Sequence, residues 1–566
     1  MDLYRVSLIL FCIAVLLTGC AQQTLQSTQS GDNFLPHTRE WEQETGVPLL
    51  SGMGAYHHAI STRNPGAQRY FNQALVLSFA YNHAESVRAF HAAQKLDDRC
   101  AMCYWGEALA LGPNINVTHH GKVVMADEAR VQAFAAIQKA VALKHHASEK
   151  EGDYIDALAT RYNGDLSTTR DQLDQAYMEA MRDLSRKYPV DDDAASLYAE
   201  SMMNLMPWDY WLDPDTPKAL TAELIKVLEN VLERSSRHPL GIHLYIHAVE
   251  SSSNPGRAEQ AADVLLDLVP GAGHLVHMPS HTYWRVGRYS DAAKANMKAA
   301  AVDEAYIAAC NAGGFYPAAY YPHNLHFLWA AYSMEGRSRD AFETAHKVAE
   351  SISEELVDEF PVVEFYKTIP LLSLTGFGKW HEILAEPQPP AHRVLSTAIW
   401  HYARALANIR LGRIDAARTE HARLIELKTN ASITALDAMD YPASRLLQIA
   451  DFLVAGEQFM AQGKQLQAIS AFEHAVAIQD GLPYMEPPYW YYSTRHTLGK
   501  ALLTSGDFAR AEAVYQENLK NYPKNGWGLY GLMQSLNAQG KSSDEVMKAF
   551  ENAWRHADVA LTASQF

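Results

Sequence analysis

The sequence predicts an all-α fold, an α-solenoid of helix–turn–helix units stacked one on the next. Two observations carry this. Strand signals are sparse, and helical patterns rich in Ala, Leu, Glu and Tyr dominate the 566 residues. A ladder of large and small residues also returns with a regular step. Near the C-terminus it runs through Phe452, Gly456, Phe459, Gly463, Ala468, Phe472 and Ala475, then through Leu498, Gly499, Gly506, Ala511, Tyr515 and Pro523. A degenerate third copy follows through Trp527, Gly531, Gly540, Phe550 and Ala553. Small residues let two helices cross closely, and large ones fill the gap beside them.

The same grammar recurs upstream. Ala258 and Ala292 are the key small residues of two units 34 residues apart; further copies carry Gly336 with Ala341, Gly412 with Ala417, and an early one covers Phe71 to Leu96. The pattern resembles the tetratricopeptide repeat, a helix–turn–helix unit of 34 residues, over about two thirds of the chain. Insertions fall after Ala301 and around Pro483–Pro488, and the stretch from Glu386 through Pro390 reads as a break between blocks. The expected organisation is a leader over 1–19, a flexible tether over 20–50, an N-terminal solenoid over 51–385, a Pro-rich break over 386–392 and a C-terminal block over 393–566.

The leader is read from its pattern. Val6 to Leu17 is an apolar run too short for a membrane span, which needs about 20 residues, but suited to a signal-peptide core. It ends in Leu17-Thr18-Gly19-Cys20, which resembles the lipobox of bacterial lipoproteins. That resemblance implies cleavage before Cys20, lipidation of Cys20 and, with no aspartate following, an outer-membrane anchor facing the periplasm. Ala21 to Pro36 is rich in Gln, Ser and Thr, as a tether should be. Membrane contact is expected through the lipid alone. A formal charge of −17 argues against a nucleic-acid partner, which would call for a basic face. Cys100 and Cys103 form a CxxC that, in an exported chain, reads as a short disulfide, a redox pair or two soft metal ligands.

Histidine placement is the strongest functional signal. In the tetratricopeptide family the first helix of each unit lines the concave groove. Its ligand-facing positions lie 18, 15 and 11 residues before the key alanine. From Ala292 these are His274, His277 and His281; from Ala258, Leu240, His243 and His247; from Ala341, His323, His326 and Ala330. Seven of the nine are histidine, where 25 in 566 residues would place about 0.4. Pairs at i, i+3 or i, i+4 stand about 5–6 Å apart at Cβ and can converge on one ion. Glu250, three residues past His247, faces the same side as a candidate ligand, outer-sphere partner or general base. Seven histidines exceed one site, so two metals, or one metal beside ligand-binding histidines, are expected. Imidazole-rich sets suit transition metals, zinc or copper foremost. A metal-free ligand pocket and a structural histidine network are the competing readings. Pro279, between His277 and His281, should bend its helix and leave the Leu275 carbonyl without its partner.

Other positions carry weaker signals. His57 and His58 read as loop histidines, His83 as packed, His119-His120 and His145-His146 as solvated surface. Glu200 and Asn204 precede the aromatic cluster Trp208 to Trp211, which reads as core. No Walker loop, GxSxG elbow, HExxH or zinc-finger spacing occurs. The functional expectation is a periplasm-facing binding or scaffold lipoprotein whose groove holds a transition metal. A metal-dependent enzyme on the same solenoid, and a metal-free groove for a peptide, protein or small ligand, are the alternatives.

Overall fold

In the computed structural model, residues 38–117, 125–310, 312 and 314–566 are described. The expected leader, the lipobox-like stretch Leu17-Thr18-Gly19-Cys20, and His119-His120 lie outside them. The described residues are all-α apart from a two-stranded hairpin, Trp211–Asp213 against Thr216–Pro217, and one isolated bridge between Asn114 and Val117. Successive helices pack as neighbours along the chain: Pro65–Phe79 on His83–Leu96, Val394–Arg410 on Ile414–Leu427, Ala443–Ala461 on Gln465–Asp480, and Arg495–Ser505 on Phe508–Asn521. This is the expected α-solenoid.

The large/small ladder works as steric logic requires. A Cβ on Gly456 would stand 2.3 Å from the Phe472 ring, and one on Gly499 would stand 2.4 Å from the Tyr515 ring. Gly531 approaches the same Tyr515 ring from a third helix, where a Cβ would lie 2.2 Å away. One tyrosine is thus clamped between two glycine-bearing helices, and the Tyr515 hydroxyl bonds to Ser564 at 2.6 Å. Gly506 closes the Arg495–Ser505 helix in the left-handed region, φ 82°, where a side chain would be strained.

The expected break at 386–392 is a connection between Trp380–Ala385 and Val394–Arg410, and helix packing continues past it from Glu364–Gly376 to Val394–Arg410. The C-terminal units curl back onto the middle of the chain. Trp527 donates its indole N–H to the Ser333 carbonyl at 3.0 Å, and Trp554 lies so close to Gly336 that a Cβ there would meet its ring at 2.4 Å. Gly287 abuts the Pro523 carbonyl in the same way.

The end of the expected tether is not loose. Thr38–Thr45 is helical, Thr45 bonds to the Tyr70 hydroxyl at 3.0 Å, and Leu50 donates its N–H to Gln73 at 2.7 Å. The chain then runs against the turn at 268–271, where Gly271 donates to the Gly52 carbonyl at 2.9 Å. His58, expected in an exposed loop, is buried: its Nδ1 lies 2.6 Å from Asp193, which also binds Tyr56 and His238 Nε2. Burial would raise the Asp193 pKa, but the hydrogen bonds from His238 and His58 hold it below its ordinary value. Cys100 and Cys103 are joined in a buried disulfide, and Cys100 caps the Ala101–Ala110 helix.

Overpacking a close crossing typically costs about 1–3 kcal/mol. Gly499→Val should sit at the upper end, because Gly531 prevents the Tyr515 ring from retreating. Urea unfolding is expected to show that loss, with partial recovery in Gly499→Val/Tyr515→Leu. A Gly499→Val protein as stable as the parent would contradict the clamp.

Candidate metal-binding histidine bed

Three helical segments bring the histidines together. Pro239–Val249 carries His243 and His247 with Glu250 at its C-terminal end; Gly273–His277 and Pro279–Arg285 carry His274, His277 and His281; Phe315–Met334 carries His323 and His326. His243, His247, His274, His277 and His281 are each 4 % exposed or less. His323 is half-buried.

Pro279 divides its helix as its missing N–H demands. Met278 between the two pieces keeps right-handed helical angles, φ −50° and ψ −38°, and His281 donates its N–H to Met278 at 3.2 Å. The tightened turn keeps His281 aimed at the same bed as His277, so the proline shapes the site without dispersing it.

Protonation follows from the outer edges of the rings. His243 Nδ1 faces the Phe79 carbonyl at 2.6 Å, so it must carry the proton. His277 Nδ1 faces Asn296 Oδ1 at 2.6 Å, and the Asn296 amide is oriented by donation to Ala292 at 2.8 Å. His247 and His281 each present Nδ1 to one oxygen of Glu250, at 2.7 and 2.6 Å. In four rings, then, the outer N–H is spent on a carbonyl or carboxylate and Nε2 turns inward. That is the usual posture of metal-ligating histidine.

The inward nitrogens crowd one another. His277 and His281 meet Nε2 to Nε2 at 2.9 Å, and His243 and His274 at 3.3 Å. Two nitrogens each about 2.0–2.1 Å from one ion in a tetrahedral array stand about 3.4 Å apart. Buried His247 Nε2 and His274 Nδ1 have no hydrogen-bond partner. Potential ligand atoms lie within 4.8 Å of one another in His243–His247–His274, in His277–His281–His323 and in His247–Glu250–His281. The first two sets share no residue. Glu250 ties one to the other through the outer edges of His247 and His281.

Electrostatics distinguish the two triads. Burial holds His243, His274, His277 and His323 well below the ordinary histidine pKa, with the neighbouring imidazoles adding to the effect, and His247 is lowered as well. Burial pulls His281 the same way, yet the carboxylates of Glu250 and Glu486 override it and hold the ring up at about 10. An imidazolium at His281 gives its Nε2–H to His277, which explains the 2.9 Å contact without an ion. A proton can therefore stand where a metal would.

His326 lines one cleft with His247, His274, His281 and His323 but departs from the expected metal set. Its ring stacks on Trp329 at 5.5 Å and abuts Phe365 and Tyr366, outside every three-residue group. Three residues past His323 is about 300° of helical rotation, and Trp329 on the next turn takes up the ring. Burial lowers the His326 pKa to about 3.

Several residues of the site had no sequence signal. Glu486 and Tyr484 come from the insertion around Pro483–Pro488. Tyr484 donates to Glu250 at 3.3 Å and also binds Glu486, while Glu486 Oε2, 3.4 Å from His281 Nδ1, has no hydrogen-bond partner. Trp208, expected in the core, is 46 % exposed and sets its ring edge-on to His247 at 4.9 Å. His83 is packed as expected, between the Ala110 carbonyl and Asn114, and His145-His146 are exposed. Asn204 is buried with both amide atoms unpartnered, and burial raises the Glu200 carboxyl to about 7.

No family model matches the chain, and no curated protein matches it. Among solved structures it is similar to the human IFIT1 dimer with m7Gppp-AAAA, at 12 % identity over 88 % of this chain and 91 % of that one, TM-score 0.32. It is also similar to the P58(IPK) TPR domain, at 12 % identity over 84 % and 98 %, TM-score 0.22. The Cut9–Hcn1 hetero-tetramer of the APC/C follows at 10 % identity over 86 % and 90 %, TM-score 0.28. Similarity of this order bears on neither the histidines nor the ligand.

The bed is anchored from behind by Asp303. Its carboxylate accepts from Tyr316 at 2.8 Å and Asn324 at 2.7 Å, and Tyr316 in turn accepts the His274 N–H at 3.2 Å. Burial pushes the Asp303 pKa up to about 7 despite those hydrogen bonds. With an unfolded value near 3.9, the folded state holds this proton more tightly between about pH 4 and 7. Stability therefore falls as pH rises through that window and levels off above it. Asp303→Asn should flatten the slope, read as the difference in urea midpoints between pH 4.5 and 7.5. An unchanged slope would remove Asp303 as its source.

Proposed function

We propose that this protein is a lipid-anchored, periplasm-facing repeat protein that binds transition-metal ions in its histidine-lined groove. Its anchor and location rest on the leader and on Leu17-Thr18-Gly19-Cys20. One observation carries the metal reading: four buried imidazoles have their Nδ1–H groups fixed outward, and their Nε2 atoms turn inward. A purely structural network would pair each inward nitrogen with a donor, whereas His247 Nε2 has none.

The donor set fits two ions, one for His243, His247 and His274 and one for His277, His281 and His323. All-imidazole triads suit zinc or copper. Glu250 would be the outer-sphere carboxylate common to both, fixing the tautomers of His247 and His281. A bound ion would supply Lewis-acid activation to whatever reaches it. The chain's own residues provide the rest: Glu250 and Glu486 balance charge, Tyr484 orients both carboxylates, and Pro487 and Pro488 follow Glu486 in the insertion.

Elemental analysis of tag-free protein offered zinc or copper tests this. Up to two ions per chain are expected, with His247→Ala losing one and His323→Ala the other. Substitution at both His243 and His277 should leave little metal while circular dichroism stays helical. Folded parent protein that takes up neither metal would overturn the proposal.

A further inference from the structure

The histidine bed forms part of the floor of a much larger space. A cleft of about 1490 Å³ opens onto His247, His281 and His323, with one wall from the middle units and the other from the C-terminal block. Small-ligand sites usually hold about 300–1,000 Å³, so this cleft exceeds what one small molecule fills.

Its mouth is unusually aromatic. Among the described residues, the large apolar side chains that stand exposed include four aromatic ones, Trp208, Phe315, Phe360 and Tyr484, and all four line this cleft. Such side chains gathered at one opening mark a contact surface, whereas scattered ones would need no explanation. Deeper in, Phe365, Tyr366 and Tyr441 continue the aromatic wall, Phe365 lying 3.9 Å from Tyr366 and 5.4 Å from Tyr441 between ring centroids.

Its charge is predominantly negative. Asp209, Glu359, Asp437 and Asp440 line the cleft with Glu250 and Glu486, against the His281 imidazolium and Arg445, which also donates to the Ile478 carbonyl at 3.2 Å. Asp209 has Lys218 as its ion-pair partner and Asp437 accepts from Ser444; Glu359 and Asp440 are solvent-exposed carboxylates. Anionic ligands, nucleic acid included, meet repulsion here, while cations gain from both carboxylates and ring faces.

We propose that the cleft binds a polypeptide segment carrying aromatic and cationic side chains, and that it delivers one of them to the histidine bed. This extends the reading of that bed as a working site and gives it a substrate class. Extended backbone spans the length of the cleft, aromatic side chains stack on its walls, and lysine or arginine pairs with Glu359 and Asp440. Aromatic-lined grooves capture peptides in this manner elsewhere.

Fluorescence anisotropy with a labelled synthetic peptide repeating Gly-Tyr-Lys tests it, on the full soluble chain with and without zinc. The parent peptide should bind at least about tenfold more tightly than its Lys→Glu and Tyr→Ser counterparts. Phe315→Ala/Phe360→Ala should weaken binding about tenfold while keeping the parent metal content and helical spectrum. Equal affinity for the three peptides, or unchanged binding by the double variant, overturns the proposal. So does free tyramine competing as tightly as the peptide, since a small amine would then suffice. Peptide binding by protein that takes up no metal would refute the metal reading alone, and metal uptake without peptide selectivity would refute only this one.

Discussion

The site depends on hydrogen bonds made on the outer edges of the histidine rings. A buried imidazole must place its N–H somewhere, because an unpaired donor costs about 1–3 kcal/mol. Here the acceptors are the Phe79 carbonyl, the Asn296 amide and both oxygens of Glu250. They come from three different helical units, so the tautomers of the bed are set by how those units stack. Close crossings hold that stacking in place. The glycine-over-ring contacts belong to the same repeat grammar, and Gly273 serves it locally: a Cβ there would lie 2.0 Å from Asp303 Oδ1.

Much of this was legible in the sequence because helical repeats are periodic. The 34-residue step located the helices, and counting back from Ala258, Ala292 and Ala341 put six histidines in one place. His326 shows the limit of that counting. A repeat frame fixes the position of a Cα on a helix face, but the ring turned toward Trp329, a neighbour no family position specifies. Pro279 was read as bending its helix, and the helix divides there into two pieces; the facing of His281 depended on Met278 keeping helical angles between them.

Glu486, Tyr484 and Trp208 were illegible for a different reason. None belongs to a repeat position, and Glu486 reaches His281 from 205 positions further along the chain. An insertion has no period to count from, and its docking follows only from the curl of the whole solenoid. The same holds for His58, whose burial arises from Asp193 and Tyr154 more than 90 residues away. The CxxC motif left three readings open, and the bridge between Cys100 and Cys103 is compatible with two of them, a short disulfide and a redox pair.

The Tyr484–Glu486 segment also orders events in time. The histidine bed lies between residues 243 and 323, and it emerges from the ribosome well before residue 484 does. The imidazoles can gather while their second carboxylate and their tyrosine are still unmade. The C-terminal block then brings a second carboxylate to His281, whose first, Glu250, is already in the early cluster, and it lines the cleft. The late segment is thus the last part of the site in chain order.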